Sequence, residues 1–373
     1  MQQYNADNLC YRIAFASLRG MGYDLAQKIL GVIPSEKDYF EMSEKELQSL
    51  LQTKVKITEQ RYRAEQLEKA RNEVEFVTKN NIQVTYFTDH NYPTRLSNAQ
   101  DAPILFYSKG ECNLNASKII SIVGTRHATA YGKHFCESLI KDLKGLVEDV
   151  VIVSGLAYGI DICAHRAALT QGIPTVAVLA HGLNTIYPAT HRKDAVEMIK
   201  SNGMLITDYR SCDKIHPGNF VARNRIVAGL ADCTIVVESA EKGGSLITAG
   251  IASSYNRDVF ALPGRANDQY SRGCNKLIRN NSASLITCAD DLVSAMRWDS
   301  LKTPAEAKQM EMFADIAPEE QLIVDYLRMN NESHINVLCN ALGIPMSQLM
   351  GSLIELEFKG IITSLPGAKY TLL

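Results

Sequence analysis

The chain has 373 residues, 46 % hydrophobic and 21 % charged, with a formal net charge of −2 at pH 7. Those proportions suit a globular protein of two or three domains and exclude a disordered chain. No apolar run approaches the roughly 20 residues that span a bilayer. The opening Met-Gln-Gln-Tyr-Asn-Ala-Asp lacks the charged-then-apolar order of a signal peptide, so a cytoplasmic location with no membrane partner is expected. The nine cysteines contain no Cys-x-x-Cys pair, which fits buried reduced thiols rather than a disulfide framework or zinc site. The even overall charge hides a polarity: residues 118–297 carry 20 Lys+Arg against 16 Asp+Glu, and residues 304–373 carry 4 against 9. A nucleic-acid surface therefore belongs to the middle of the chain, not to its acidic tail.

Residues 1–80 read as a small helical domain, with helical periods over 8–18, 23–30, 44–51 and 61–79. Within it Leu18-Arg19-Gly20-Met21-Gly22-Tyr23-Asp24 has the form of a helix-hairpin-helix (SAM-like) turn. Its two glycines let backbone N–H groups approach either a phosphate or a neighbouring domain. Two short strands, 82–87 and 104–107, lead into residues 81–298, where apolar runs recur at 119–123, 150–153, 175–180, 204–206, 233–237, 259–262 and 284–287. Runs of this length without alternation, separated by about ten helical residues, predict an α/β fold with a doubly wound parallel, Rossmann-like sheet. The stretch 299–317 holds Pro304 and little periodicity and reads as a linker. Three helices and a hairpin around Pro366-Gly367 then give residues 318–373 a winged-helix outline. The third helix carries Glu355 and Glu357 against one lysine, which favours contact with protein over groove reading.

Three strand ends share one design. They are Gly124-Thr125-Arg126, Ser154-Gly155 and Lys242-Gly243-Gly244-Ser245, with Ser245 expected to cap the helix that follows. In an open α/β sheet such turns converge on one edge, where helix N-termini present N–H donors to anions. Arg223, Asn224 and Arg225 arrive there too, and 180–193 adds Tyr187, His191, Arg192 and Lys193, with Tyr209 and Phe220 as further aromatics. Cations with interleaved rings make a single-strand binding surface, whereas the same residues singly serve ion pairing and core packing. Residues 243–256 contain no acid, and no Walker turn, dinucleotide fingerprint or metal-ligand spacing occurs, so no catalytic residue, metal or cofactor is assigned. Asp161 and His165 lie one helical turn apart, a helix-start carboxylate and a half-buried histidine rather than an acid–base pair.

Five motifs in this order resemble the DNA-processing protein A (DprA/Smf) family. They are Ile122-Val123-Gly124-Thr125-Arg126, Ser154-Gly155-Leu156-Ala157-Tyr158-Gly159-Ile160-Asp161, Phe220-Val221-Ala222-Arg223-Asn224-Arg225, Gly244-Ser245-Leu246-Ile247-Thr248-Ala249 and Leu262-Pro263-Gly264. The resemblance implies a homodimer that binds and protects incoming single-stranded DNA without sequence preference and helps load RecA recombinase in natural transformation. It places phosphate contacts on Gly124, Thr125, Arg126, Ser154, Gly155, Arg223, Asn224, Gly244 and Ser245. His191 stands where the family often has Asn, Thr207-Asp208 replaces Ser-Glu, and Asn280-Asn281-Ser282-Ala283 lacks Gly-Ala. Two other classes remain as alternatives: a nucleotide phosphoribohydrolase-like enzyme, whose catalytic Glu after the Gly-rich turn is missing here, and a winged-helix transcription regulator.

Overall fold

The structure, a computed structural model, describes residues 6–52, 54–298 and 317–373. Apart from Ala317, the expected linker 299–317 lies outside the described residues. The unalternating apolar runs form a nine-stranded sheet: β1 (Gln83–Tyr86), β2 (Leu105–Gly110), β3 (Lys118–Val123), β4 (Val150–Ser154), β5 (Thr175–Val178), β6 (Met204–Thr207), β7 (Cys233–Val236), β8 (Asp258–Ala261) and β9 (Ser284–Leu285). The order is β1-β2-β6-β5-β4-β3-β7-β8-β9. Strands β3 to β9 are parallel, and β2 pairs antiparallel with β1 and β6, so the lead-in strands extend one edge in the opposite sense.

Both faces of the sheet are covered, as the sequence pattern requires. Ile120 and Ile122 of β3 pack under the helices Ala130–Leu146 and Ile160–Gln171, while Ile119 and Val123 pack under Pro217–Leu230 and Gly244–Ser254. From β3 the chain winds outward through β4, β5 and β6, then returns to β7 on the other side of β3. That reversal opens a crevice at the carboxyl ends of β3 and β7, the place where such sheets hold ligands.

The amino-terminal helices are Ala6–Ala16, Tyr23–Leu30, Glu36–Glu41, Glu44–Leu51 and Gln60–Lys79. The six-residue Glu36–Glu41 is absent from the sequence expectation because so short a helix shows no period. Its amino end is capped by Ser35, and buried Arg63 donates to the carbonyls of Tyr39, Phe40 and Met42 at its other end. The carboxyl-terminal unit comprises helices Pro318–Asn330, Ile335–Leu342 and Met346–Phe358 with β10 (Glu332–His334), β11 (Ile362–Leu365) and β12 (Lys369–Leu372), ordered β10-β12-β11. Among the described residues no single helix is long and apolar enough to cross a membrane.

One buried ion pair ties these parts together. Arg95 Nε donates to Asp232 Oδ1 at 2.7 Å, Asp232 Oδ2 accepts from the Ile119 N–H at 2.8 Å, and Arg95 also reaches the Ser117 carbonyl. Lys369 Nζ of β12 stands 3.9 Å from the same carboxylate. Removing one partner of a buried pair strands the other charge. Asp232→Ala is expected to lower unfolding free energy by about 3–5 kcal/mol in urea titrations; a loss below about 1 kcal/mol would show that the pair is not a structural anchor.

Candidate nucleic-acid interface

Two backbone hydrogen bonds lock the turn after β3 in place. The Thr125 N–H donates to the Glu238 carbonyl at 2.7 Å, and the Thr125 carbonyl accepts from the Ile160 N–H at 3.1 Å. The approach is close enough to demand glycine: at Gly159, φ is +81° and a Cβ would lie 2.1 Å from the Thr125 oxygen. With its backbone held, Arg126 projects outward and is exposed. Its guanidinium carbon lies 5.7 Å from the centre of the Phe220 ring, which meets the ring of Tyr187 edge-on at 5.5 Å. On the other side His127 stacks with Tyr270 at 6.1 Å. Tyr187, Phe220, Arg126, His127 and Tyr270 thus form one row of rings around a single guanidinium along the crevice.

Further cationic groups lie on neighbouring elements. Arg192 and Lys193 are exposed at the start of the helix Arg192–Lys200, with no carboxylate in ion-pair range among the described residues. Beyond Arg126 a groove of about 640 Å³ is lined by His127, Lys133, Tyr158 and Arg166. Arg166 is neutralised there by a two-point bond to Asp194 at 2.7 and 3.0 Å. Gly244 opens the helix Gly244–Ser254 with nothing within 4 Å of where its Cβ would stand, and the first turn carries no acid. The N–H groups of a helix start and its positive dipole end suit an anion.

Several expected contacts lie elsewhere. Arg223 is buried, and its Nη1 donates to the carbonyls of Gly155 and Val178, closing the ends of β4 and β5. A Cβ at Gly155 would stand 2.3 Å from that guanidinium, so this glycine makes room for the arginine rather than for a phosphate. Arg225, two residues along the same helix, points to the opposite side, as residues at that spacing must. It pairs with Asp208 and the Asp101 carbonyl and lines a cavity of about 630 Å³ that the hairpin residues Gly20, Met21 and Gly22 also line. Tyr209 lines that cavity too, away from the row. The hairpin turn therefore faces the sheet's lead-in.

Ser154 is buried and donates to the Ile122 carbonyl at 2.6 Å. Ser245 does not cap its helix: Gly243 holds the cap position without a side-chain bond, and Ser245 Oγ lies buried against Ser239 Oγ at 3.0 Å. His191 is buried, bonded through Nδ1 to the Leu156 carbonyl at 2.9 Å, and supports the ring of Tyr158 edge-on. Asn224 is half-buried, with Nδ2 3.5 Å from the Gly244 carbonyl.

The buried titratable groups are occupied with structure. Asp161 accepts from the Ala157 N–H, and burial raises its carboxyl pKa against the opposing pull of Arg223. His165 is fully rather than half buried. Its Nδ1 meets Thr175 Oγ1 at 2.8 Å, not Asp161, and burial, with the Arg223 charge, lowers its pKa to about 3. Glu238, just past β7, accepts from the N–H and hydroxyl of Thr129, the residue that caps the helix Ala130–Leu146 by accepting from the Gly132 N–H. Tyr270 is a row member that the sequence reading lacks. It sits in an irregular loop, and no period or turn signal marks it.

The comparisons agree with this geometry. Residues 83–297 match the model of DNA recombination-mediator protein A, and residues 305–368 match the DprA winged helix domain. The chain belongs to the DNA recombination-mediator protein A family. It is 39 % identical to DNA processing protein DprA of Streptococcus pneumoniae over 56 % of this chain and 73 % of that protein. To Protein Smf of Escherichia coli it is 32 % identical, over 74 % of each. Among solved family members, the S. pneumoniae DprA structure overlays with a TM-score of 0.60 at 29 % identity, covering 77 % of this chain and 97 % of that one. The Helicobacter pylori protein, whose single-stranded DNA binding mode was described structurally, gives 0.52 at 30 % identity, covering 58 % and 97 %.

Two predictions separate scaffold from surface. Arg223→Ala, by orphaning two strand-end carbonyls, is expected to lower unfolding free energy by about 2–4 kcal/mol in urea titrations; an unchanged midpoint would return Arg223 to the ligand surface. His165 binds a proton in the unfolded chain near pH 6.5 but only near pH 3 when folded, so its contribution is complete above pH 6.5 and declines on acidification. Between pH 7.5 and 5 the protein should lose about 2 kcal/mol more stability than His165→Gln. Parallel losses in the two proteins would mean that the imidazole is not buried as a neutral group.

Proposed function

We propose that the crevice binds single-stranded DNA without sequence preference and performs no chemistry on it. The observation that carries this reading is the row Tyr187, Phe220, Arg126, His127 and Tyr270, in which Tyr187, Arg126 and His127 are exposed and Phe220 and Tyr270 half-buried. It offers rings for base stacking and a guanidinium for phosphates, beside the open helix start at Gly244. Of the residues expected to touch DNA, Gly124, Thr125, Arg126, Tyr187, Arg192, Lys193, Phe220, Asn224, Gly243 and Gly244 stay in the proposal. Ser154, Gly155, Arg223 and Ser245 act instead within the turns, and Arg225 ties Asp208 to the Asp101 carbonyl beside the hairpin. Against the phosphoribohydrolase alternative, Asp161 and Glu238, beside the crevice turns, are buried and committed to hydrogen bonds with Ala157 and Thr129.

The finer role rests on family membership. Incoming strands in transformation would be protected here and passed to RecA by a homodimeric, intracellular protein, with residues 1–80, 81–298 and 318–373 as its three units. Sedimentation at micromolar concentration and RecA filament assembly on protein-coated DNA test those statements.

Arg126 is the residue whose loss should matter most for binding, because a fixed guanidinium forks onto phosphate oxygens. Arg126→Ala is expected to weaken oligothymidine binding about tenfold or more while leaving the melting temperature in place. Lys200→Ala provides the comparison for an exposed charge off the row. Affinity should fall by roughly 0.7 log unit per log unit of salt for each phosphate contact. A flat salt titration, stronger binding to duplex, or unchanged affinity of the Arg126 variant would count against the site.

A further inference from the structure

The winged-helix unit has its wing occupied and its third helix free. Ser364 of β11 accepts a hydrogen bond from Arg297 at 2.9 Å, Lys369 of β12 approaches Asp232, and the wing turn at Gly367 lies against Arg257. The hairpin that would track a DNA backbone is thus docked on the sheet's flank. The helix Met346–Phe358 buries Leu349, Leu353 and Leu356 inward. Its outer face carries Met346, Met350, Ile354 and Phe358, at 37, 47, 50 and 89 % exposure. Four apolar residues spaced by four make one stripe, about 18 Å long over 13 residues. Ser347 and Gly351 border it, and at Gly351 an added Cβ would meet nothing within 4 Å, so another backbone has room to come close.

The charge beside the stripe has one sign. The last turn holds Glu355 and Glu357 and no basic residue, at the end where the helix dipole is already negative. Lys359, just beyond, is turned onto Glu320 at 2.6 Å. Glu357 is pinned by the N–H and hydroxyl of Ser364, which lowers its carboxyl pKa and keeps it ionised. No cation lies on the helix itself, so a second copy of this helix would bring none, and DNA would be repelled.

We propose that this stripe docks an amphipathic helix of another protein, apolar along one face and rich in lysine or arginine at the end that meets Glu355 and Glu357. The fit is of the helix-in-groove kind, with Met side chains adapting to the partner. It does not rest on the single-strand reading, since no residue of the stripe belongs to the row at the crevice.

The test uses the full chain and a fluorescein-labelled peptide of about 14 residues in which leucine and lysine alternate at helical spacing, with a leucine–glutamate counterpart. Anisotropy should show binding of the lysine peptide, weakened about tenfold or more by Met350→Gln combined with Ile354→Gln. Glu355→Gln should weaken it about threefold, the glutamate peptide should not bind, and oligothymidine affinity and melting should stay as in the parent. Absence of lysine-peptide binding, equal binding to parent and double variant, or equal binding of the two peptides would overturn the proposal. So would a parent dimer that the double variant converts to monomer in sedimentation, because the stripe would then belong to a second copy.

Discussion

A parallel strand buried on both faces ends in carbonyls that its neighbours do not fully satisfy, and the arrangement of this molecule follows from where those carbonyls find donors. Arg223 serves the ends of β4 and β5, the Ser154 hydroxyl serves β3, and the Thr125 N–H serves Glu238, two residues past β7. Each donor is drawn from a motif that also looks suited to phosphate. The crevice is therefore built from two populations of polar groups, one consumed in closing the sheet and one left over for solvent or ligand. Arg126 and the Gly244 helix start belong to the second population because the first holds them still.

This division matters for a partner that varies in sequence. Every nucleotide offers the same phosphate and some aromatic face, so a row of rings with a guanidinium among them needs no knowledge of the bases. A chain with a net charge of −2 sustains such a surface by local placement. Glu238 is turned inward onto Thr129 and Asp194 is paired with Arg166, and although Glu137 lines the groove with Arg126, no carboxylate stands in ion-pair range of Arg126, Arg192 or Lys193 among the described residues.

Most of the architecture was legible in the sequence because the apolar runs are long, regularly spaced and flanked by turn residues. Every run predicted between 119 and 287 became a strand, and the winged-helix outline emerged as read. The site was legible only in part. Motif position fixes which turns reach the carboxyl edge, but not which way a side chain leaves its helix or how deep it lies. Arg223 and Arg225 show the limit: two positions apart, they diverge to opposite sides, one into the sheet and one toward the amino-terminal hairpin. Ser245 was misplaced for the same reason, since burial depends on what the fold brings over it. Tyr270 was invisible because an irregular loop carries no period.

The carboxylate of Asp232 touches three parts of the chain at once: Arg95 from the lead-in, the Ile119 N–H of the first parallel strand, and Lys369 from the final hairpin. Synthesis delivers these in order, with the hairpin last. By the time Lys369 leaves the ribosome, Arg95 and Ile119 can already have fixed the carboxylate as the seat of the wing. The wing residues thus dock on a surface assembled before them, and the winged-helix unit is added to a finished sheet rather than competing with it for partners.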